Sequence, residues 1–94
     1  MVKVLVAGYG VIGQRLADGV AQQDDMELVG VVDAAPTLSV LTLRDKGMPY
    51  KLFAAFDDAK ANLEAAGIRV SGTLEEILPE VDIVLDATSP GVGA

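Results

Sequence analysis

A glycine-rich turn between an apolar run and a helical pattern constrains this chain more than any other feature. The apolar run Val2–Ala7 leads into Gly8-Tyr9-Gly10-Val11-Ile12-Gly13, and a second apolar run, residues 28–32, ends in Asp33. Strand, glycine turn, helix, strand and acid, in that order, form the layout of a dinucleotide-binding βαβ unit. The acid lies 20 residues after Gly13, as that layout requires. A glycine turn in another kind of α/β unit is the alternative, and this context disfavours it.

A different structural role is predicted for each glycine of the turn. Gly8 permits a tight turn out of the strand, Gly10 lets a diphosphate approach the backbone, and Gly13 lets the helix pack close to the sheet. The phosphates would then lie against unpaired N–H groups at the helix amino terminus, where the helix dipole favours negative charge. Tyr9, inside the turn, either covers the cofactor or packs the turn down, and the sequence leaves both interpretations open.

Asp33 stands at the carboxyl end of the second predicted strand, which is where α/β sheets bind ligands. Its spacing from the glycines favours hydrogen bonds to ribose hydroxyls over the alternative, a solvated turn aspartate. A carboxylate at this place repels a 2′-phosphate, and Ala34, Ala35 and Thr37 provide no basic side chain to hold one. The residues therefore favour NAD over NADP.

The rest of the chain alternates between predicted helices and strands. This alternation predicts an α/β fold, a Rossmann-type doubly wound parallel sheet that ends after about the fourth or fifth strand, with the last strand beside the first. The predicted elements are a helix from Val11 to about residue 24 buried along Ile12, Leu16 and Val20, a helix at 38–46, a strand at 50–56, a helix at 59–66 capped by Asp57 or Asp58, a strand at 68–70, a helix opened by a Thr73/Glu76 capping box, and a strand at 81–85.

Composition excludes several classes of function. The 94 residues contain neither cysteine nor histidine, so we predict no metal site and no catalytic residue within the chain. The formal net charge of −7, with seven dispersed basic residues, argues against a nucleic-acid partner. No apolar run approaches the ~20 residues of a membrane span, and the amino terminus lacks a signal-peptide layout. We therefore expect a cytoplasmic protein without a membrane partner.

Longer stretches carry a resemblance to a known family. The residues from Val4 to Arg15, the run Asp25-Met26-Glu27-Leu28-Val29-Gly30-Val31, the run Gly67-Ile68-Arg69-Val70-Ser71-Gly72-Thr73 and the tail from Asp82 to Ala94 resemble archaeal-type glyceraldehyde-3-phosphate dehydrogenase. The likeness covers essentially the whole chain without large gaps. It identifies residues 1–94 as the amino-terminal part of that family's NAD(P)-binding domain, with the catalytic domain absent.

The resemblance carries further expectations. The family enzyme oxidises glyceraldehyde 3-phosphate to the 1,3-bisphosphate with NAD or NADP and is a tetramer, and its nucleophilic cysteine and its histidine lie downstream of these residues. Ala7 stands where the family usually has Asn, and Asp33 stands where many members tolerate a 2′-phosphate. By position, the resemblance assigns contacts with the dinucleotide to Gly10, Val11, Ile12 and Gly13 at the diphosphate, Asp33 at the adenosine ribose, and Thr88 and Ser89 near the other half.

Two alternatives stay open at this point. Homoserine dehydrogenases, dihydrodipicolinate reductases and aspartate dehydrogenases begin with similar strands and glycine turns. A stand-alone nucleotide-binding or interaction module is the second alternative. Half a Rossmann sheet leaves a strand edge and apolar surface uncovered, so we also predict self-association of the chain.

Overall fold

A computed structural model describes residues 1–87, which form one parallel sheet with helices packed on both of its faces. The strands are β1 (Val2–Ala7), β2 (Met26–Asp33), β3 (Leu52–Ala54), β4 (Gly72–Thr73) and β5 (Ile83–Asp86). The helices are α1 (Val11–Ala21), α2 (Leu38–Asp45), α3 (Asp57–Ala65) and α4 (Leu74–Ile77), and a 3₁₀ turn, Leu78–Glu80, follows α4.

The strand order places the glycine turn at a ligand-binding position of the fold. The order is β4-β3-β2-β1-β5, and every neighbouring pair is parallel. The chain runs outward from β1 to β4 and then crosses back to place β5 on the free side of β1. The carboxyl ends of β1 and β5 therefore meet at a topological switch point, where open α/β sheets bind ligands. The α/β, Rossmann-type prediction is confirmed, including the position of the last strand.

Two apolar clusters hold the layers together. The larger cluster joins Val6 and Val31 of the sheet to residues of three helices, among them Ala17 of α1, Leu43 of α2 and Leu63 of α3. The smaller cluster, on the other face, consists of Leu5, Val32, Phe53 and Ile77. Strand β5 lies at an edge of the described sheet and stays half-exposed, with Ile83 44% and Val84 42% accessible.

The predicted strand at residues 68–70 is wrong. Ile68 is 2% exposed and packs into the larger cluster, and its N–H donates to the carbonyl of Leu63 at the end of α3. The first backbone bond to β3 runs from the Ser71 amide to the Leu52 carbonyl, and the strand pairing begins at Gly72, opposite Phe53. Residues 68–70 therefore close the preceding helix before the chain enters the sheet, and local apolar content alone does not distinguish these two roles.

Helix starts are predicted with mixed success. The capping box is confirmed, because Thr73 accepts from the Glu76 amide while Glu76 accepts from the Thr73 amide. The expected aspartate cap of α3 is wrong. Asp57 and Asp58 lie inside the first turn, where their charges favour the helix dipole, and the residue before them is Phe56.

The buried face of α1 agrees with the predicted one at Leu16 and Val20 and differs from it at Ile12. Its buried residues are Gly13, Ala17 and Val20, whereas Ile12 is 55% exposed. Because Gly13 lets the helix approach the strand very closely, the contact line runs through position 13. Ile12 is thereby turned outward at the amino end of the helix. The helix also ends at Ala21, three residues earlier than the expected end.

Candidate functional site

The glycine turn is tied to the end of β2 by two consecutive backbone amides. The Gly8 amide donates to the Val32 carbonyl at 2.7 Å, and the Tyr9 amide donates to Asp33 Oδ2 at 3.1 Å. Gly8 has a φ of +94°, a conformation that L side chains rarely adopt, so glycine permits this bend. The segment is a strand-to-helix turn, as the sequence predicts.

Gly13 makes the closest approach between α1 and the sheet. A Cβ built on Gly13 would lie 1.9 Å from the Gly8 carbonyl oxygen and 3.6 Å from the Cβ of Ala87. Ala87 follows β5, and its amide donates to the carbonyl of Ala7 at 2.7 Å. The start of α1 therefore lies directly against the carboxyl ends of β1 and β5.

The backbone N–H groups at the start of α1 are open. Within the described part of the chain, the amides of Gly10, Val11, Ile12 and Gly13 donate to no acceptor, and the first intrahelical bond runs from Gln14 to the Gly10 carbonyl. We call these four groups the open amides. A Cβ built on Gly10 would meet nothing within 4 Å, so the space beside the turn is clear. Aligned free amides and the positive end of a helix dipole together attract an anion.

The other helices of the described chain start differently. Thr37 caps α2 through the Val40 amide, Thr73 caps α4, and α3 has two aspartates in its first turn. Helix α1, the longest of the four, has neither a side-chain cap nor an acid in its first turn. The start of α1 is thus the place where an anionic group from outside the chain can satisfy the backbone.

Asp33 lies beside the open amides and is not a freely solvated turn residue. It is half-buried at the end of β2, where Oδ1 accepts from the Ala34 amide at 2.7 Å while Oδ2 holds the Tyr9 amide. A carboxylate has about four lone-pair directions, so two remain for other donors. The carboxylate is therefore fixed in direction and still able to accept hydrogen bonds from a ligand.

The structure brings the predicted site residues together at one end of the sheet. Gly8, Gly10, Val11, Ile12 and Gly13 follow β1, and Asp33 ends the neighbouring β2. The predicted contacts at Thr88 and Ser89 lie outside the described residues. Large apolar side chains are exposed around this end of the sheet, among them Val11, Ile12 and Leu38.

Tyr9 packs the turn down. Its side chain is 7% exposed and belongs to the larger apolar cluster, so the packing interpretation left open by the sequence is the one observed. Burial, and then the negative charge of Asp18, raise the pKa of Tyr9. Asp18 on α1 also accepts a hydrogen bond from the hydroxyl of Tyr50. Asp18 and Tyr50 lie 32 residues apart, and no spacing rule connects them, so this link cannot be predicted from the sequence.

Both tyrosines should be unusually resistant to ionisation, Tyr9 mainly through burial and Tyr50 mainly through its hydrogen bond to Asp18. That hydrogen bond, with burial and nearby charge, raises the pKa of Tyr50 to about 12. The raised pKa stabilises the folded chain fully below pH 10, the ordinary tyrosine pKa, and this contribution is lost as the pH rises towards about 12. Because the chain has two tyrosines and no tryptophan, absorbance of tyrosinate reports these groups alone. We expect little tyrosinate at pH 10, and more in Asp18→Ala.

The matched control for that titration is Asp25→Ala, which removes an equal charge from the loop after α1. It should leave the tyrosine titration unchanged. An Asp18→Ala variant that titrates like the unmodified chain would contradict the role of Asp18.

A cleft is present among the described residues away from the glycine turn, whereas metal-binding groups and membrane-spanning helices are absent from them. An open cleft of about 540 Å³ lies at the opposite, amino end of the sheet, and lysines and glutamates (Lys3, Lys51, Glu27 and Glu80) line it together with apolar residues. Residues 1–87 contain no group of acidic, histidine or cysteine side chains that could hold a metal ion. None of the helices described is long and apolar enough to cross a membrane.

Comparison with known proteins gives consistent matches along the chain. The family model described as "Dihydrodipicolinate reductase, N-terminus" matches residues 2–94. Proteins named glyceraldehyde-3-phosphate dehydrogenase are 47% identical in Methanococcus maripaludis strain C5, 44% in Thermococcus kodakarensis and 45% in Pyrococcus abyssi. Each match covers 99% of this chain and 27% of the relative. The resemblance to the archaeal enzymes is thereby confirmed, and the chain spans about a quarter of their length.

Proposed function

The chain belongs to the family described as the N-terminus of dihydrodipicolinate reductase, and from this premise we propose that it binds a nicotinamide dinucleotide through its glycine turn. The open amides would hold the diphosphate, and Asp33 would accept from the adenosine ribose. Thr88 and Ser89 would lie near the nicotinamide half, as their position after β5 suggests. The observation that carries the proposal is the set of four amides without acceptors at the only described helix that has neither a cap nor an acid.

Glyceraldehyde-3-phosphate dehydrogenase is the activity we propose for the protein to which this amino-terminal part corresponds. Identities of 44–47% to archaeal enzymes of that name support it, and they favour it over the homoserine dehydrogenase and dihydrodipicolinate reductase alternatives. The bound dinucleotide would supply a hydride acceptor. Within this chain, residues bind and orient it, and none is assigned to catalysis, because the sequence has no cysteine or histidine.

The residues present fit a diphosphate chemically. Helix α1 offers N–H donors without a competing side chain, and the space beside Gly10 is clear. The net charge of −7 gives no long-range attraction for an anion. Affinity therefore has to come from local donors, which makes the open amides the decisive feature.

Titration of the 94-residue chain with NAD and with ADP-ribose tests the proposal. We expect saturable binding of both, with the amide resonances of Gly10, Val11, Ile12 and Gly13 shifting most. ADP-ribose should bind about as tightly as NAD, because both contain the diphosphate and the adenosine ribose. A folded chain that binds neither ligand would refute the proposed function.

Asp33 should make the chain prefer NAD. A carboxylate near the ribose repels the 2′-phosphate of NADP, and the loop after it, Ala34-Ala35-Pro36-Thr37, contains no basic residue. Arg44, on the same helix as Leu38, is held at the far end of α2 by Asp45 and the Ala66 carbonyl. We expect NAD to bind about tenfold tighter than NADP or more. In Asp33→Ala, the ratio of the NADP dissociation constant to the NAD dissociation constant should move towards one. An unchanged ratio would contradict the placement of Asp33 at the adenosine ribose.

Self-association of the isolated chain remains a prediction. Strand β5 forms one edge of the described sheet, and its Ile83 and Val84 side chains are both more than 40% exposed. Exposed apolar edge strands pair readily with other chains. Sedimentation velocity at increasing concentration should therefore reveal dimers or larger species, and Ile83→Lys should reduce them. A monomer at all concentrations would contradict this prediction. It would also remove the support that self-association gives to a stand-alone interaction module.

A further inference from the structure

Asp33 makes two hydrogen bonds that a ribose acceptor does not need. Oδ2 accepts from the amide of Tyr9, inside the glycine turn, and Oδ1 accepts from the amide of Ala34. The carboxylate thus connects the end of β2 to the turn, 24 residues earlier in the chain. The next amide after Tyr9 is that of Gly10, the first of the open amides.

Few contacts determine where the turn lies. The Gly8 amide is fixed by the Val32 carbonyl, the Tyr9 amide by Asp33, and the Tyr9 ring by the apolar cluster. No side chain of the turn bonds to another part of the described chain. Of these tethers, only the one to Asp33 depends on a replaceable polar side chain.

We propose that Asp33 is a positioning residue for the diphosphate site, acting through the Tyr9 amide as well as at the ribose. This inference rests on the proposed function. It couples two parts of the dinucleotide site, since the same carboxylate that faces the ribose holds the turn in the conformation that presents the open amides. Two of its lone-pair directions are used by the chain and two remain for the ribose, so the two roles are compatible.

The positioning role and the negative charge of Asp33 predict opposite changes in anion affinity when Asp33 is removed. If Asp33 acted only by its charge, removing it would strengthen the binding of any anion nearby. If Asp33 positions the turn, removing it lets the turn relax, and anion binding weakens. A ligand with a diphosphate but no ribose separates the two, because its affinity contains no ribose hydrogen bond.

Inorganic pyrophosphate is the probe, titrated at fixed ionic strength into the unmodified chain, Asp33→Ala and Asp57→Ala. Asp57→Ala is the matched control, because it removes an equal charge from the first turn of α3, and its side chain makes no bond to the glycine turn. We expect Asp33→Ala to weaken pyrophosphate binding about tenfold, and Asp57→Ala to leave it equal or slightly tighter. Equal or tighter binding by Asp33→Ala would overturn the proposal.

Amide hydrogen exchange in the absence of ligand gives an independent result. The Tyr9 amide should exchange faster in Asp33→Ala, while the Val6 amide in the core keeps its protection. Retained protection of Tyr9 would overturn the positioning role even if pyrophosphate binding fell. If the unmodified chain bound neither pyrophosphate nor ADP-ribose, the proposed dinucleotide binding would be refuted. The exchange rate of the Tyr9 amide would still decide whether Asp33 positions the turn. Should Asp33→Ala not fold, Asp33→Asn retains an acceptor for only one of the two amides and should give an intermediate loss.

Discussion

Gly13→Ala is expected to unfold the chain or to lower its melting temperature by more than about 10 °C. The added Cβ would lie 1.9 Å from the carbonyl oxygen of Gly8, and a backbone atom cannot give way as a flexible side chain can. Helix α1 would have to move off β1, which opens the contacts of Ala17 and Val20. We expect a cost of at least about 3 kcal/mol, against a total stability on the order of 5–14 kcal/mol for a domain of this size.

Gly19→Ala on the same helix is the matched control. A Cβ at Gly19 would meet nothing within 4 Å, and the position is exposed. Alanine is the better helix former, so this variant should be more stable by about 0.5–1 kcal/mol. Thermal and denaturant unfolding measure both. A Gly13→Ala variant as stable as Gly19→Ala would mean that α1 does not pack on the sheet as described.

Gly10→Asp is expected to stabilise the fold while abolishing dinucleotide binding. Residue 10 precedes α1 in extended conformation, where an aspartate side chain can cap the helix. The carboxylate would take one or two of the open amides and complement the helix dipole, for a gain of about 0.5 kcal/mol. A diphosphate would then meet a negative charge and fewer free donors. We expect affinity for NAD and ADP-ribose to fall at least about 100-fold, or roughly 2.7 kcal/mol.

Gly10→Ala tests whether Gly10→Asp weakens dinucleotide binding by occupying the open amides or only by adding atoms beside the turn. Its Cβ has space in the chain itself and cannot cap the helix, so the fold should lose no more than about 1 kcal/mol. Binding should fall less than in Gly10→Asp, because the amides stay free and no charge is added. A Gly10→Asp chain that binds NAD like the unmodified protein would show that the open amides are not the diphosphate site.

The predicted backbone geometry of the glycine turn agrees with the structure because local sequence dictates it. Gly8 adopts a positive φ and Gly13 lies against the sheet, and both were foreseen because only glycine meets such demands. The Thr73/Glu76 capping box was foreseen for the same reason, since both partners lie within four residues. Features of this kind need no knowledge of distant parts of the chain.

Errors occurred where a distant contact decided the outcome. Residues 68–70 have the composition of a strand, yet Ile68 packs into the core between the sheet and three helices. Ile12 fits a helical apolar stripe with Leu16 and Val20, yet the close approach at Gly13 leaves Ile12 exposed while Val20 stays buried. In both cases tertiary packing outweighed a local pattern that suited two conformations equally well.

The sequence by itself determined the βαβ start, the glycine turn and the position of an acid 20 residues later, because backbone sterics and strand and helix periodicity act over a few residues. Only the tertiary structure decided that Asp33 would hold the Tyr9 amide, that Tyr9 would be buried, and that Asp18 would join Tyr50. These links span 24 and 32 residues, and they exist because parallel pairing of β1 with β2 and the packing of α1 bring the groups within hydrogen-bonding distance.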